Sequence, residues 1–267
     1  MKIAIAGCGN MGMAFAKSFL QYDLVKKDDL LLIEKSASRC EALKAEKTGV
    51  VVDTISPRVS EYDLIILSVK PQDFAGLHEA LRAVIRPEQV VLSIMAGIPI
   101  AQIQEKLNHP LVIRAMPNTP AMLGMGITGF TAAKEVDLSN LRKVENLINA
   151  TGRSIFLEDE SMLDAVTALS GSGPAYFYYV VKAMVEAGRQ MGFDDAVAAL
   201  LVKQTMLGAY HLINTADKSL DDLIKAVASK GGTTEAALRE FEAGALADTL
   251  VAGIKAAQVR ATELSKE

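Results

Sequence analysis

A glycine-rich run near the start of the chain has the residue types and spacing to bind an anion. Gly7-Cys8-Gly9-Asn10-Met11-Gly12 matches the pattern G-x-G-x-x-G, directly after the apolar run Lys2-Ile3-Ala4-Ile5-Ala6 and before a helical stretch reaching Phe19. Gly7 permits a tight turn, Gly9 lets the backbone approach a pyrophosphate, and Gly12 lets the helix pack closely on the strand. Free N–H groups and the helix dipole at that point favour negative charge. With a strand before it and a helix after it, the motif reads as a dinucleotide-binding turn.

Six further stretches extend the site. Val69-Lys70-Pro71-Gln72, Ala96-Gly97 and Met116-Pro117-Asn118-Thr119-Pro120 each follow a buried strand, at the edge of a parallel sheet where ligands bind, and could lie against a nicotinamide and its ribose. Taken singly, each could also be plain turn chemistry. After the second strand, Glu34 offers an acceptor for a free ribose 2′-hydroxyl, whereas Lys35, Ser36 and Arg39 supply two cations and a hydroxyl suited to a 2′-phosphate. That balance favours NADP and leaves NAD open. In the second half, Ser170-Gly171-Ser172-Gly173-Pro174 and Ser229-Lys230-Gly231-Gly232-Thr233-Thr234 each precede a helix, and bare backbone donors at such ends suit the carboxylate of a small anionic substrate.

The elements that must hold these residues divide the chain in two. From 1 to 158, short branched runs alternate with helical stretches, which predicts a Rossmann-like α/β dinucleotide-binding domain with a parallel sheet covered on both faces. Its strands are 30–33, 50–52, 64–69, 90–94 and 111–114 after the first, with weaker ones at 127–131 and 154–157. From 159 to 267 strand-like runs give way to helical spacing, which predicts an all-helical domain. Pro174 suits a first helical turn, and Ser219-Leu220-Asp221-Asp222 resembles a capping box. Apolar residues surround much of the helix at Ala196-Val197-Ala198-Ala199-Leu200-Leu201-Val202, so subunits are expected to share this bundle.

Composition bounds the partners. With 267 residues, half of them hydrophobic, the chain can bury a large core, and a net charge of −4 with interspersed signs speaks against nucleic acid. Cys8 and Cys40 make neither a disulfide framework nor a metal cluster, so no metal is expected. No leader and no uninterrupted apolar run long enough for a bilayer is apparent, which predicts a cytoplasmic protein without a membrane partner.

Taken together, the segments 7–12, 69–72, 116–121, 170–176 and 231–234 resemble pyrroline-5-carboxylate reductases in order and spacing, over essentially the whole chain. The Gly-Ser-Gly-Pro-Ala-Tyr and Gly-Gly-Thr-Thr segments are the specific ones; the first glycine motif is common to many dehydrogenases. Glu34 stands where that family often has a neutral residue, Met95 where it has alanine, and Lys230 where it has proline. The first departure bears on the choice of cofactor. The resemblance implies reduction of a cyclic imine to L-proline with NADPH or NADH, by at least a dimer and with rings of dimers as a further assembly.

The same resemblance implies that Thr234 hydrogen-bonds the ring nitrogen and that Thr233 with the nearby N–H groups holds the carboxylate. Ser229, Gly232 and Glu160 complete the substrate-side candidates. Hydride transfer to a protonated imine needs orientation more than a strong acid. That fits histidines at 78, 109 and 211 read as packing or surface residues. Two other readings remain: a β-hydroxyacid dehydrogenase, for which Lys182 lies too far past Gly173, and a nucleotide-binding protein without catalysis.

Overall fold

The computed structural model describes residues 1–265 and holds an eight-stranded sheet with strand order β3-β2-β1-β4-β5-β6-β7-β8. The strands are β1 (Ile3–Ala6), β2 (Leu30–Ile33), β3 (Val50–Val52), β4 (Leu64–Leu67), β5 (Val90–Ser93), β6 (Val112–Met116), β7 (Gly126–Ala132) and β8 (Gly152–Phe156). Helices α1 (Asn10–Gln21), α2 (Ala37–Glu46), α3 (Pro71–Phe74), α4 (His78–Arg82), α5 (Ile100–Leu107) and α6 (Leu138–Asn149) cross between strands. Further along come α7 (Met162–Val166), α8 (Gly173–Gln190), α9 (Asp195–Thr215), α10 (Leu220–Val227), α11 (Thr233–Ala243) and α12 (Leu246–Leu264).

The continuous apolar strands follow from burial on both faces. Because side chains alternate across a strand, Ile3, Ile5, Leu30, Leu32, Leu64 and Ile66 enter one core, packed on Phe15 and Phe19 of α1 and Leu147 and Ile148 of α6. Their neighbours Ala4, Leu31, Ile65 and Leu67 enter the other, with Tyr62, Phe74, Leu81 and Ile103. Strand β1 sits between β2 and β4, so the order reverses at β1 and opens the crevice beyond the carboxyl ends of β1 and β4.

The expectation of a parallel sheet is corrected at β7, which runs antiparallel to β6. The link between these strands contains only the 3-10 turn Thr119–Leu123, and a parallel return needs a crossover of about a dozen residues or more. Strand β8, reached through α6, is parallel to β7 again.

By contact the chain forms two compact units, Met1–Pro174 with the chain from Ala257 onward, and Ala175–Ala256. This division differs from the boundary expected between 158 and 159. The difference arises because α7 carries Leu163 into full burial and Asp164 into an ion-pair cluster with Arg114 of β6, while Thr262 bonds Asp164. Positions 266 and 267 of the expected helical domain lie outside the described residues. Within Ala175–Ala256, among the described residues, only Gly188, Ala198 and Val202 are buried. Helix starts are well satisfied there: Asp194 accepts from the Val197 N–H at 2.8 Å, and Ser219 from the Asp222 N–H at 3.1 Å. By length and composition α9 could cross a bilayer, with a mean hydropathy of 1.3, but Lys203 and Gln204 near its middle interrupt the apolar run.

Gly152 closes the edge of the sheet at φ +144°, where an added Cβ would stand 2.0 Å from the Gly126 carbonyl oxygen. Gly152→Ala is expected to lower unfolding free energy by about 2–4 kcal/mol, since neither backbone can move without breaking the β7–β8 ladder. Urea denaturation of the two proteins measures the difference, and an unchanged midpoint would refute it.

Candidate active site

The turn after β1 is built by two close approaches and one open space. At Gly7, φ +95°, a Cβ would lie 2.5 Å from the Ser68 carbonyl oxygen at the end of β4, and at Gly12 it would lie 2.1 Å from the Gly7 carbonyl oxygen. Both positions therefore demand glycine, the first for the turn against β4 and the second for seating α1 on the turn. Gly9 differs, since among the described residues no atom beyond its own chain neighbours lies within 4 Å of where its Cβ would be. It is the N-cap of α1, without a side-chain cap and with no acid in the first turn. First-turn N–H groups have no partner within their own helix, so this end offers donors and partial positive charge to an anion.

Beside it opens a cavity of about 590 Å³ lined by Gly7, Gly9, Glu34, Lys35, Val69 and Lys70, with Gln72 and Asp73 farther along. This volume is in the range of cofactor sites. The empty space at Gly9 and the uncapped helix fit a dinucleotide pyrophosphate. Asn10 and Met11 begin α1, and Pro71 occupies the first turn of α3, where its missing N–H costs nothing.

Cys8 belongs to the turn, but its side chain packs into the core. Its thiol is fully buried, donates to the Ile33 carbonyl at 3.7 Å, and is pushed up to about 12, first by burial and then by the Glu34 carboxylate. The groups expected to receive a 2′-phosphate all have local partners. Lys35 Nζ pairs with Asp73 Oδ1 at 2.6 Å, and Arg39 Nε donates to the Cys8 carbonyl at 3.3 Å. Ser36 caps α2 by accepting from the Arg39 N–H at 3.5 Å. Glu34 accepts from the Cys8 N–H at 3.2 Å and from the Ser36 N–H at 2.9 Å.

Ala96, Gly97 and Asn118 do not line this cavity, and neither do Ser36 and Arg39. Gly97, at φ +75°, is approached by the Leu264 carbonyl, which would stand 3.3 Å from a Cβ, and Ala96 precedes it. Asn118 serves the protein's own backbone: its Oδ1 accepts from the Ile127 N–H at 3.1 Å and its Nδ2 donates to the Ser170 carbonyl at 3.3 Å. That second bond explains a departure from expectation. The stretch before Pro174 is not a bare helix start, because Thr167–Gly171 is a π-helical turn that continues from α7, with the Ser172 N–H bonded to the Thr167 carbonyl at 2.8 Å. Pro174 has no N–H to give the Ser170 carbonyl four residues back, and the Asn118 amide takes its place.

Substrate-side candidates fall at two places. In the second unit, Gly231 at φ +75° turns the chain into α11, Gly232 is its N-cap without a side-chain cap, and the Gly231 N–H donates to Glu235 Oε2 at 2.7 Å. The Gly232 N–H donates to the Ser229 carbonyl at 2.9 Å. Thr234 is thus the second residue of the helix and not its cap. Among the described residues neither Thr233 nor Thr234 spends its hydroxyl on a protein partner. Lys182 is exposed on α8.

Glu160 lies in the first unit, where Oε1 accepts from Arg114 Nη1 at 2.9 Å and from the Ile100 N–H at 2.8 Å. Arg114 also faces Asp164 at 3.6 Å, and Thr262 donates to Asp164 at 3.0 Å. Sequence reading missed this cluster. An arginine ending an otherwise apolar strand, with Glu160 and Asp164 spaced four apart, was the available sign of a buried counter-charge. Of the histidines, His109 is buried, bonds the Gln89 carbonyl at 2.7 Å and has its pKa lowered by burial; His211 meets the Tyr210 ring edge-on at 5.6 Å.

A doubly wound sheet with an uncapped glycine turn at its switch point defines a dinucleotide-binding protein. Residues 160–264 match the family described as pyrroline-5-carboxylate reductase dimerisation, and residues 2–97 the one described as NADP oxidoreductase coenzyme F420-dependent. Pyrroline-5-carboxylate reductase of Pseudomonas aeruginosa is 35% identical over 100% of this chain and 97% of its own, and pyrroline-5-carboxylate reductase 2 of Bacillus subtilis 33% over 100% and 96%. Among solved structures, a Coxiella burnetii pyrroline-5-carboxylate reductase superposes with a TM-score of 0.89 at 30% identity, covering 100% of this chain and 99% of that one. A Plasmodium falciparum pyrroline carboxylate reductase with NADP bound gives 0.90 at 24% identity, covering 99% and 98%. The chain belongs to the pyrroline-5-carboxylate reductase family.

Arg114→Met would leave the Glu160 and Asp164 carboxylates without their cation. It should destabilise the protein by about 3 kcal/mol, whereas Arg114→Met combined with Glu160→Gln and Asp164→Asn should recover part of that loss. Chemical denaturation of both variants distinguishes this from a dispensable pair, for which neither would shift.

Proposed function

We propose that the chain reduces 1-pyrroline-5-carboxylate to L-proline, the last step of proline biosynthesis, with NADPH as reductant and NADH as a second one. The observation that carries the substrate side is the start of α11. Two unpartnered hydroxyls, Thr233 and Thr234, stand there beside an N-cap that is only glycine, in a chain that pyrroline-5-carboxylate reductases match from end to end.

In this reading Gly7 to Gly12 hold the pyrophosphate, Val69, Lys70, Pro71 and Gln72 border the nucleotide, and Lys35, Ser36 and Arg39 face its adenosine end. Ala96, Gly97 and Asn118 complete the cofactor side. When bound, the reduced nicotinamide supplies a hydride. The chain itself has little chemistry to perform, because an imine carbon is already electrophilic once its nitrogen is protonated; its residues orient. The Thr234 hydroxyl accepts from the ring N–H, and the Thr233 hydroxyl with the first-turn N–H groups of α11 holds the carboxylate. Ser229 and Gly232 shape that turn, and Glu160, held by Arg114 in the first unit, is a further substrate-side candidate.

We assign 1–158 to nucleotide binding and 159–267 to substrate binding and self-association. A unit that buries only Gly188, Ala198 and Val202 cannot offset the entropy of its own folding, so the apolar faces of α8 and α9 require a second copy. The same contact covers α9, making the protein a cytoplasmic homodimer, with rings of dimers as a larger form. Light scattering should return at least twice the chain mass without detergent; a fully active monomer at every concentration would overturn this.

Thr234→Ala should lower turnover by about 10- to 1000-fold, the range for one oriented donor or acceptor, with nucleotide affinity and thermal midpoint nearly unchanged. Thr234→Ser should recover part of the rate. Steady-state kinetics with pyrroline-5-carboxylate decide the matter, and normal turnover in the alanine variant would remove Thr234 from the site.

A further inference from the structure

We propose that Glu34 is the selectivity-determining residue of the nucleotide site, and that its carboxylate admits NADH alongside NADPH. The inference rests on the reading that the cavity beside Gly9 holds a nicotinamide dinucleotide. Glu34 lines that cavity with Gly7 and Gly9, directly after β2. Two backbone donors anchor its side chain, the Cys8 N–H to Oε2 at 3.2 Å and the Ser36 N–H to Oε1 at 2.9 Å. The carboxylate is therefore a fixed part of the cavity wall, with lone pairs left to accept from a hydroxyl.

The cations beside it each have one local partner. Lys35 is held by Asp73 at 2.6 Å, Arg39 by the Cys8 carbonyl at 3.3 Å, and the Ser36 hydroxyl lies 3.1 Å from that of Ser38 while accepting the Arg39 N–H. Asp53 and Asp73 line the same cavity, so three carboxylates face Lys35 and Lys70 there. A ribose 2′-hydroxyl needs only an acceptor, and Glu34 provides one that is charged and positioned. A 2′-phosphate meets a like charge at Glu34, and to gain Lys35 it must draw that cation away from Asp73, leaving the terminal N–H groups of Arg39, which is held only through Nε, as the other cationic donors. Discrimination against the phosphate thus arises from one anchored carboxylate and one ion pair, while the pyrophosphate end treats both nucleotides alike.

Calorimetric titration of the intact protein with NADH and with NADPH tests this without turnover. For wild type both should bind. In Glu34→Ser the NADH to NADPH affinity ratio should fall by at least about 10-fold, through weaker NADH and tighter NADPH, and Glu34→Gln should move it the same way by less. Asp73→Asn, which releases Lys35, should tighten NADPH while NADH stays constant. An unchanged ratio in either Glu34 variant with a wild-type melting midpoint overturns the assignment. Should both variants lose the fold, Asp73→Asn decides, and an unaltered NADPH affinity there refutes it. Wild-type protein that bound neither nucleotide would bring down the dinucleotide reading itself, and this inference with it.

Discussion

The structure of the first unit depends on how closely two backbones meet at the end of β1. Gly12 sits where a Cβ would come within 2.1 Å of the Gly7 carbonyl oxygen, and Gly7 where one would come within 2.5 Å of the Ser68 carbonyl oxygen. These approaches pull α1 and β4 onto the same turn. With α1 so placed, its uncapped first turn is left facing the crevice at the switch point, and Phe15 and Phe19 fall into the core with their rings edge to face at 5.7 Å. Anion site and core packing thus share one steric cause.

The second unit presents the opposite situation. Its helices are capped by Asp194 and Ser219 and joined by the fork of Arg189 on Asp195, at 2.6 and 2.8 Å, yet almost none of its apolar surface is covered. Local hydrogen bonding determines that helices form; it does not hide Phe177, Tyr179, Leu200 or Tyr210 from water. A family model defined by dimerisation spans this region. Burial that one chain lacks is supplied by symmetry, the usual answer when an apolar face has no partner in its own fold.

Between these, polar groups that look available in the sequence turn out to serve the protein. Asn118 replaces the hydrogen bond that Pro174 cannot donate, Glu160 neutralises Arg114, and Lys35 answers Asp73. Each follows from the requirement that buried or crowded polar groups find partners. A ligand at those places would have to compete with an existing contact.

Much of this was legible in residues alone. The roles of Gly7, Gly9 and Gly12 follow from spacing, and the strands from branched apolar runs buried on both faces. Helix starts at Ser219 and after Gly232 follow from local backbone chemistry, because caps and turns are settled by neighbours within a few positions. What spacing could not convey was anything resting on partners distant in sequence. The antiparallel β7, the π-helical turn before Pro174, the Arg114 cluster and the engagement of Lys35 and Arg39 each join segments whose proximity exists only after the sheet has formed. Residue type and local order thus determined the turn, the elements and the family; packing alone decided which side chains remain free for a ligand, since a polar group is committed or available only according to what the fold brings beside it.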